Sequence, residues 1–334
     1  MKSAPDWETL MLEYIGGSGI DWASEGSAAA LSVHAASTYA TSAAKAMLHN
    51  AMSSSFYCPD DKKDRSSWPV FIAAAAAHTT SSLSVTMFTE TEDAARSIAY
   101  HLIPVIRRAC KMLQTATLHP MRVALVYVDD DRKRLLPSKK GSPIMPCHIN
   151  GGMTYLLTKV TPVIVWRRED AVKVALHELV HAQRLDFGLH LHLHHDIDVV
   201  CTKMGVKRIS IDIDQSIGLH DVYSEVLACV MYSRANGIDP VSMSSAADLV
   251  AAEMLAHFGR TSMLLVSSSS SSSTYIVEGT NASAYVLGRA AFLRPSWCTK
   301  LLRCYPPGSP PTDPDEFSKM LLDAMASWDA SMHQ

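Results

Sequence analysis

The stretch TPVIVWRREDAVKVALHELVHAQRLDF, residues 161–187, decides how this chain folds. It begins with an apolar, β-branched run, Pro162 to Trp166, whose proline stands at the start, where a strand tolerates it. Glu169 and Asp170 follow, acidic residues suited to the positive end of a helix dipole. A helical pattern then runs to about Arg184 or Asp186, with Ala175, Leu176, Leu179, Val180 and Ala182 as its apolar packing. Strand, short connection and helix are therefore expected, and on that helix stands His177-Glu178-Leu179-Val180-His181. Histidines at i and i+4 lie one turn apart on one helix face, so both imidazoles reach a single metal ion. Glu178, rotated by one residue, sits beside a metal-bound water. Composition alone gives roughly 0.02 chance matches to this pattern, so two incidental histidines on a core helix are the weaker reading.

Working outward, SLSVTMF from about Leu83 reads as a strand, followed by a helix from about Thr91 to Gln114 with Glu92 and Asp93 in its first turn and a kink at Pro104. Arg122 to Val128 reads as a buried strand stopped by Asp129 to Asp131, and Asn150-Gly151-Gly152 as a turn between two extended stretches. Apolar residues at helical spacing through Ala28, Leu31, Ala35, Ala43 and Met47 suggest one or two amphipathic helices in residues 1–60. Beyond the central stretch, a β-prone run lies near Ile209 to Ile213, with helices at about Leu219–Arg234, stopped by Asn236-Gly237, at Ala246–Phe258 and at Asp315–Met325. Seven consecutive serines, Ser267 to Ser273, bury no apolar area and read as a loop. These shifts divide the chain into an Ala/Ser-rich helical extension (1–68), a catalytic domain (69–260) and a C-terminal segment of Ser-rich loop and helix (261–334).

Charge and cysteine usage exclude several classes of function. In 334 residues, 30 Lys+Arg against 33 Asp+Glu give a formal charge of −3, which argues against nucleic-acid binding by bulk charge. Arg132, Lys133, Arg134, Lys139 and Lys140 read as a solvated loop. No stretch approaches the roughly 18 apolar residues of a membrane span, and Met1 to Tyr14 lacks the pattern of a secretory signal. The 7 cysteines are scattered without a CxxC pair, as reduced thiols would be. A cytoplasmic or nuclear protein is expected, on which the sequon Asn281-Ala282-Ser283 is incidental.

Catalytic zinc takes a third protein ligand and keeps a position open for water. The pattern HExxHxxGxxH is excluded, because Arg184 and Phe187 occupy its glycine and histidine positions. Asp186 lies one residue out of phase for a ligand on a continued helix. Glu225 is the stronger candidate, on the later helix His220-Asp221-Val-Tyr223-Ser-Glu225, where Asp221 forms an i, i+4 pair with it in an ordering role. His190, His192 and His194 alternate as in a second metal site or, the favoured reading, a strand with leucines buried opposite. Cys147-His148 lacks an orienting partner for a nucleophile pair.

HELVHA on a helix preceded by an edge strand, with a glutamate from a later helix, resembles the zincin metallopeptidases, in particular their gluzincin branch. The stretch from Asn150-Gly-Gly through HELVHAQRLDF to the Tyr223-Ser-Glu225 helix is also similar to HExxH metallopeptidases of large DNA viruses and some protists. The resemblance covers roughly residues 120–235, and the separation of His181 from Glu225 is wider than gluzincins usually have. It implies an α+β, zincin-like fold: a small twisted mixed sheet with the active-site helix, and a mainly helical C-terminal lobe carrying Glu225. It implies Zn2+ held by His177, His181 and Glu225, and hydrolysis of a peptide or protein substrate by a zinc-activated water with Glu178 as general base. Tyr223, or His220, would donate to the tetrahedral intermediate. The strand Val163 to Trp166 would line the cleft and pair with extended substrate. The competing expectation is an inactive zincin scaffold acting as a protein-interaction module, against which the intact Glu178 weighs; hydrolysis of a non-peptide amide is a third.

Overall fold

The structure is a computed structural model that describes residues 31–53, 67–75, 84–116, 123–131, 133–154, 161–186, 189, 195–208, 218–265, 274–306, 309 and 311–332. In chain order these form β1 (Leu31–Ala35), α1 (Thr38–Met52), β2 (Val70–Ala75), β3 (Ser84–Phe88), α2 (Glu92–Ala116), β4 (Val123–Val128), α3 (Pro146–Ile149), β5 (Gly152–Thr154), β6 (Thr161–Trp166) and α4 (Ala171–Ala182). There follow α5 (His195–Met204), β7 (Val206–Arg208), α6 (Leu219–Asn236), α7 (Pro240–His257) and β8 (Ile276–Glu278). A π-helical turn (Ala284–Gly288) then runs into α8 (Arg289–Phe292), before α9 (Pro295–Cys304) and α10 (Pro314–Met332). The chain is thus of mixed α+β class with a small mixed sheet, as expected. Its described residues fall into two compact units, one within 18–133 and 150–183, the other including 134–149 and 184–332.

The first unit is built on a six-stranded sheet of order β1-β2-β3-β4-β6-β5. β3, β4 and β6 run parallel, while β1, β2 and β5 pair antiparallel with their neighbours. Strands buried on both faces need near-continuous apolar sequence, which is how VALVYV and TPVIVW read. Val126, Val128, Ile164 and Trp166 turn one way and pack with Leu48 and Ala51 of α1. By strand alternation Leu125, Tyr127, Val163 and Val165 face the other way, all of them buried. Each large side chain removed from water in this manner stabilises the unit by about 1.5–3 kcal/mol.

Two expectations are corrected here. Leu31–Ala35 is not helical but a strand paired with β2, so the described part of residues 1–68 adds a strand and a helix to the sheet unit. LSVHA fits a two-residue period as well as a helical one, and β2 supplies partners for its backbone groups. β6, expected as an edge strand, is hydrogen-bonded on both sides, to β4 and β5; the edge belongs to β5.

The connection from β6 into α4 is held from the end of β4. Arg167, buried, has φ of 115°, a conformation that costs a side-chain-bearing residue about 1–3 kcal/mol. The backbone N–H of Arg168 donates to the Asp130 carbonyl at 2.7 Å. Its guanidinium grips Asp129 with both arms, Nε to Oδ1 at 2.8 Å and Nη2 to Oδ2 at 2.7 Å. The Tyr127 hydroxyl donates to the same carboxylate at 3.0 Å, and burial, then the charge of Asp129, push that hydroxyl far above its ordinary pKa. The aspartates that stop β4 therefore set where α4 begins.

The second unit is mainly helical, with α6 buried on nearly every side. As the Asn236-Gly237 signal predicts, α6 ends on Gly237 at φ 64°. α7 opens on Asp239, whose Oδ1 accepts from the backbone of Val241 at 2.9 Å and Ser242 at 3.2 Å; the Ser242 contacts hold the carboxyl below its ordinary pKa. A two-stranded parallel sheet, β7-β8, sets Arg208 opposite Glu278. The π-helical turn and α8 pack against α6, and so does α10. Residues 1–30, His190, His192, His194, Ile209 to Ile213 and Ser267 to Ser273 lie outside the described residues; His195 opens α5. Among the described residues no helix is long and apolar enough to cross a membrane.

Candidate metal centre

α4 is apolar nearly all round and buried over Ala171 and Lys173 to His181, as a helix in the middle of a domain must be. His177 and His181 stand one turn apart on it, 5% and 8% exposed. Their Nε2 atoms are 2.9 Å from each other and the rings meet edge to face, 4.6 Å between centroids. Both imidazoles thus turn the same nitrogen to one point, as the HExxH spacing predicts.

Glu178 is oriented by β5. The Thr154 hydroxyl lies 2.7 Å from Glu178 Oε2, to which it donates, and 3.1 Å from the Glu178 carbonyl. β5 passes so close to α4 that a Cβ on Gly152 would lie 2.6 Å from Val174 Cγ1 and 3.0 Å from Glu178 Cγ. Gly152, read in sequence as part of a turn, is therefore the residue that lets the edge strand approach the helix. Gly152→Ala should cost about 1–3 kcal/mol, because methyl and helix cannot share that space without a backbone shift. Urea unfolding of both proteins measures this, and an unchanged midpoint would show that β5 has room to move away.

On α6, Asp221 and Glu225 lie one turn apart, 4% and 3% exposed. Asp221 Oδ2 accepts from Asn281 Nδ2, and His220 Nε2 lies 3.4 Å from the same oxygen. Asn281 Oδ1 in turn accepts from Arg208 Nη2. Behind them the Glu278 carboxylate accepts from the Ser283 backbone N–H at 2.7 Å and its hydroxyl at 3.0 Å. Burial pushes the Glu278 carboxyl up to about 7, against these hydrogen bonds and the charge of Arg208.

His177 and His181, both buried, turn their Nε2 atoms to one point and could share a metal ion. Glu225, the third ligand expected from the sequence, accepts through Oε1 from Arg289 Nη1 at 2.8 Å. Arg289→Met should destabilise the fold by about 3 kcal/mol, since it takes the guanidinium from a buried carboxylate. Denaturation of wild type and variant measures this, and a loss under 1 kcal/mol would show that the ion pair contributes little.

The other sequence candidates stand elsewhere. Tyr223 is two residues from Asp221, roughly 200° around the helix. Its hydroxyl donates to the Tyr305 carbonyl at 3.5 Å, its ring meets Phe317 edge-on, and burial followed by the charge of Asp186 pushes its pKa well up. Asp186 is fully buried. Cys147 and His148 lie on α3, where His148 Nδ1 accepts from the Met145 backbone N–H at 2.8 Å. The partners of Asp221 and Glu225, Asn281 and Arg289, follow some 60 positions later in the sequence.

No protein-family model, no curated protein and no solved structure matches this chain.

Proposed function

We propose that the chain is a zinc-dependent metallopeptidase of zincin type, with His177 and His181 as metal ligands and Glu178 as general base. The observation that carries this reading is the pair of converging imidazoles on a helix whose intervening glutamate is held by Thr154. Two imidazole nitrogens suit a catalytic zinc, which takes three protein ligands and keeps one position open. Zinc bound there would supply Lewis acidity, bringing the pKa of a coordinated water to about 7 and polarising the scissile carbonyl.

The protein's own groups do the rest. Held through Oε2 by Thr154, Glu178 would take a proton from water and return it to the leaving amine. β5 ends the sheet and runs antiparallel to β6, so the backbone of Gly152–Thr154 supplies the outer edge along which an extended peptide adds as a further strand. That role passes to β5 from β6, whose two edges are both paired. Tyr223 takes no part. The inactive scaffold is the poorer reading, because a protein-interaction module has no need of a base fixed beside two imidazoles.

The test is a peptide library incubated with zinc-loaded protein and read by mass spectrometry, with Glu178→Gln in parallel. Cleavage by wild type that the variant lacks supports the proposal. Equal cleavage by both, or none by wild type, overturns it.

A further inference from the structure

Resting on the peptidase reading, we infer that Thr154 couples the substrate to the catalytic base: a peptide laid along β5 pairs with the Thr154 backbone, and the Thr154 side chain sets Glu178. Thr154 is then a positioning residue. The substrates it serves are extended peptides whose backbone N–H and C=O groups are free to pair at its position.

The phase of the β5–β6 ladder decides which backbone groups face outward. The Trp166 N–H donates to the Gly151 carbonyl at 2.7 Å, and from there Gly152 stands opposite Val165, Met153 opposite Ile164 and Thr154 opposite Val163. In an antiparallel pair, residues that exchange hydrogen bonds alternate with residues that do not. Gly151 and Met153 therefore turn their backbone groups to β6, while Gly152 and Thr154 turn theirs away from it. Among the described residues no further strand pairs on that side. Gly152 and Thr154 thus each offer one N–H and one C=O to an added strand, at the two-residue spacing such a strand requires.

The side chains of the same two residues face α4. Thr154 Oγ1 lies 2.7 Å from Glu178 Oε2 and 3.1 Å from the Glu178 carbonyl, and a Cβ on Gly152 would lie 3.1 Å from Glu178 Oε1. A hydroxyl has one proton to donate, and the shorter contact takes it. Met153, pointing the other way, packs against the cluster that includes Leu48 and Ala51 of α1. Thr154 therefore carries an outward-facing backbone and a hydroxyl on the base, joined through a single χ1 that β-branching stiffens. β5 is three residues long and held from one side, so a peptide pairing on the other side would hold it from both. Binding that fixes Thr154 then fixes Glu178, and part of the substrate's binding energy appears in kcat instead of KM.

The experiment measures kcat and KM for one cleaved peptide, and for the same peptide N-methylated at each backbone position in turn, on zinc-loaded wild type, Thr154→Val and Thr154→Ser. Zinc content and urea unfolding are measured on the same proteins. Thr154→Val should lower kcat by about 10–100-fold, the scale of an ångström's misplacement, with KM, zinc content and midpoint little changed. Thr154→Ser, which keeps the hydroxyl, should recover most of the loss. N-methylation at the position facing Thr154 should lower kcat in wild type and raise only KM in Thr154→Val. If Thr154→Val lowers the urea midpoint, the same change in a Glu178→Gln background separates the causes: a positioning role lowers the residual rate no further, whereas a structural role lowers it again and overturns the inference. Wild-type kcat in Thr154→Val, or a loss that Thr154→Ser does not recover, overturns the positioning role. N-methylation that moves only KM in wild type at every position overturns the coupling. Each of these leaves the peptidase reading standing, whereas a wild type that cleaves no peptide overturns that reading and this inference with it.

Discussion

His177→Ala should leave the purified protein without stoichiometric metal after dialysis against a weak chelator, where wild type keeps one zinc per chain. Structural zinc sites in small zinc-finger peptides bind with about 10–16 kcal/mol, strongly dependent on pH, and a catalytic zinc takes only three protein donors, of which this imidazole would be one. Losing it should weaken binding by more than about a thousandfold, enough for the chelator to strip the site. His181→Ala should do the same, because its Nε2 converges on the same point.

Elemental analysis of both histidine variants beside wild type checks this. Glu225→Gln in the same series tests the third ligand expected from the sequence: metal lost with it makes Glu225 a ligand, and metal kept excludes it. Metal absent from wild type, or indifferent to His177→Ala, would reduce HExxH to a core helix.

The parts of the molecule that were legible in sequence are those whose signals are local. β4, β6 and α4 fall where apolar runs and helical periodicity place them, because a strand buried on both faces and a helix buried all round announce themselves over a dozen residues. The HExxH geometry is equally local, a consequence of 3.6 residues per turn. β1 is not legible in the sequence because LSVHA is too short for its period to be decided, and its partner β2 begins 35 residues after β1 ends. The edge position of β5 is a fact of sheet order, which no single strand carries. The partners of Asp221 and Glu225 are the same kind of problem: Asn281 and Arg289 follow some 60 positions later, and nothing on α6 announces them.

Glu178→Gln should lower kcat for peptide hydrolysis by about a thousandfold with metal content and fold unchanged. The substitution is close to isosteric: the amide carbonyl replaces Oε2 and still accepts the Thr154 hydroxyl, so the link from β5 to α4 survives. What is lost is the basic oxygen that takes the proton, and a positioned general base contributes typically about 100- to 10,000-fold. KM should move little, because Glu178 is assigned a proton and not a contact with the substrate backbone. Glu178→Ala is the less informative variant, since it removes the Thr154 contact along with the base. The comparison needs initial rates on one cleaved peptide, with zinc content measured on the same samples. A Glu178→Gln protein that keeps its zinc and still cleaves within tenfold of wild type would mean that another group moves the proton, and the role assigned to Thr154 in orienting the base would fall with it.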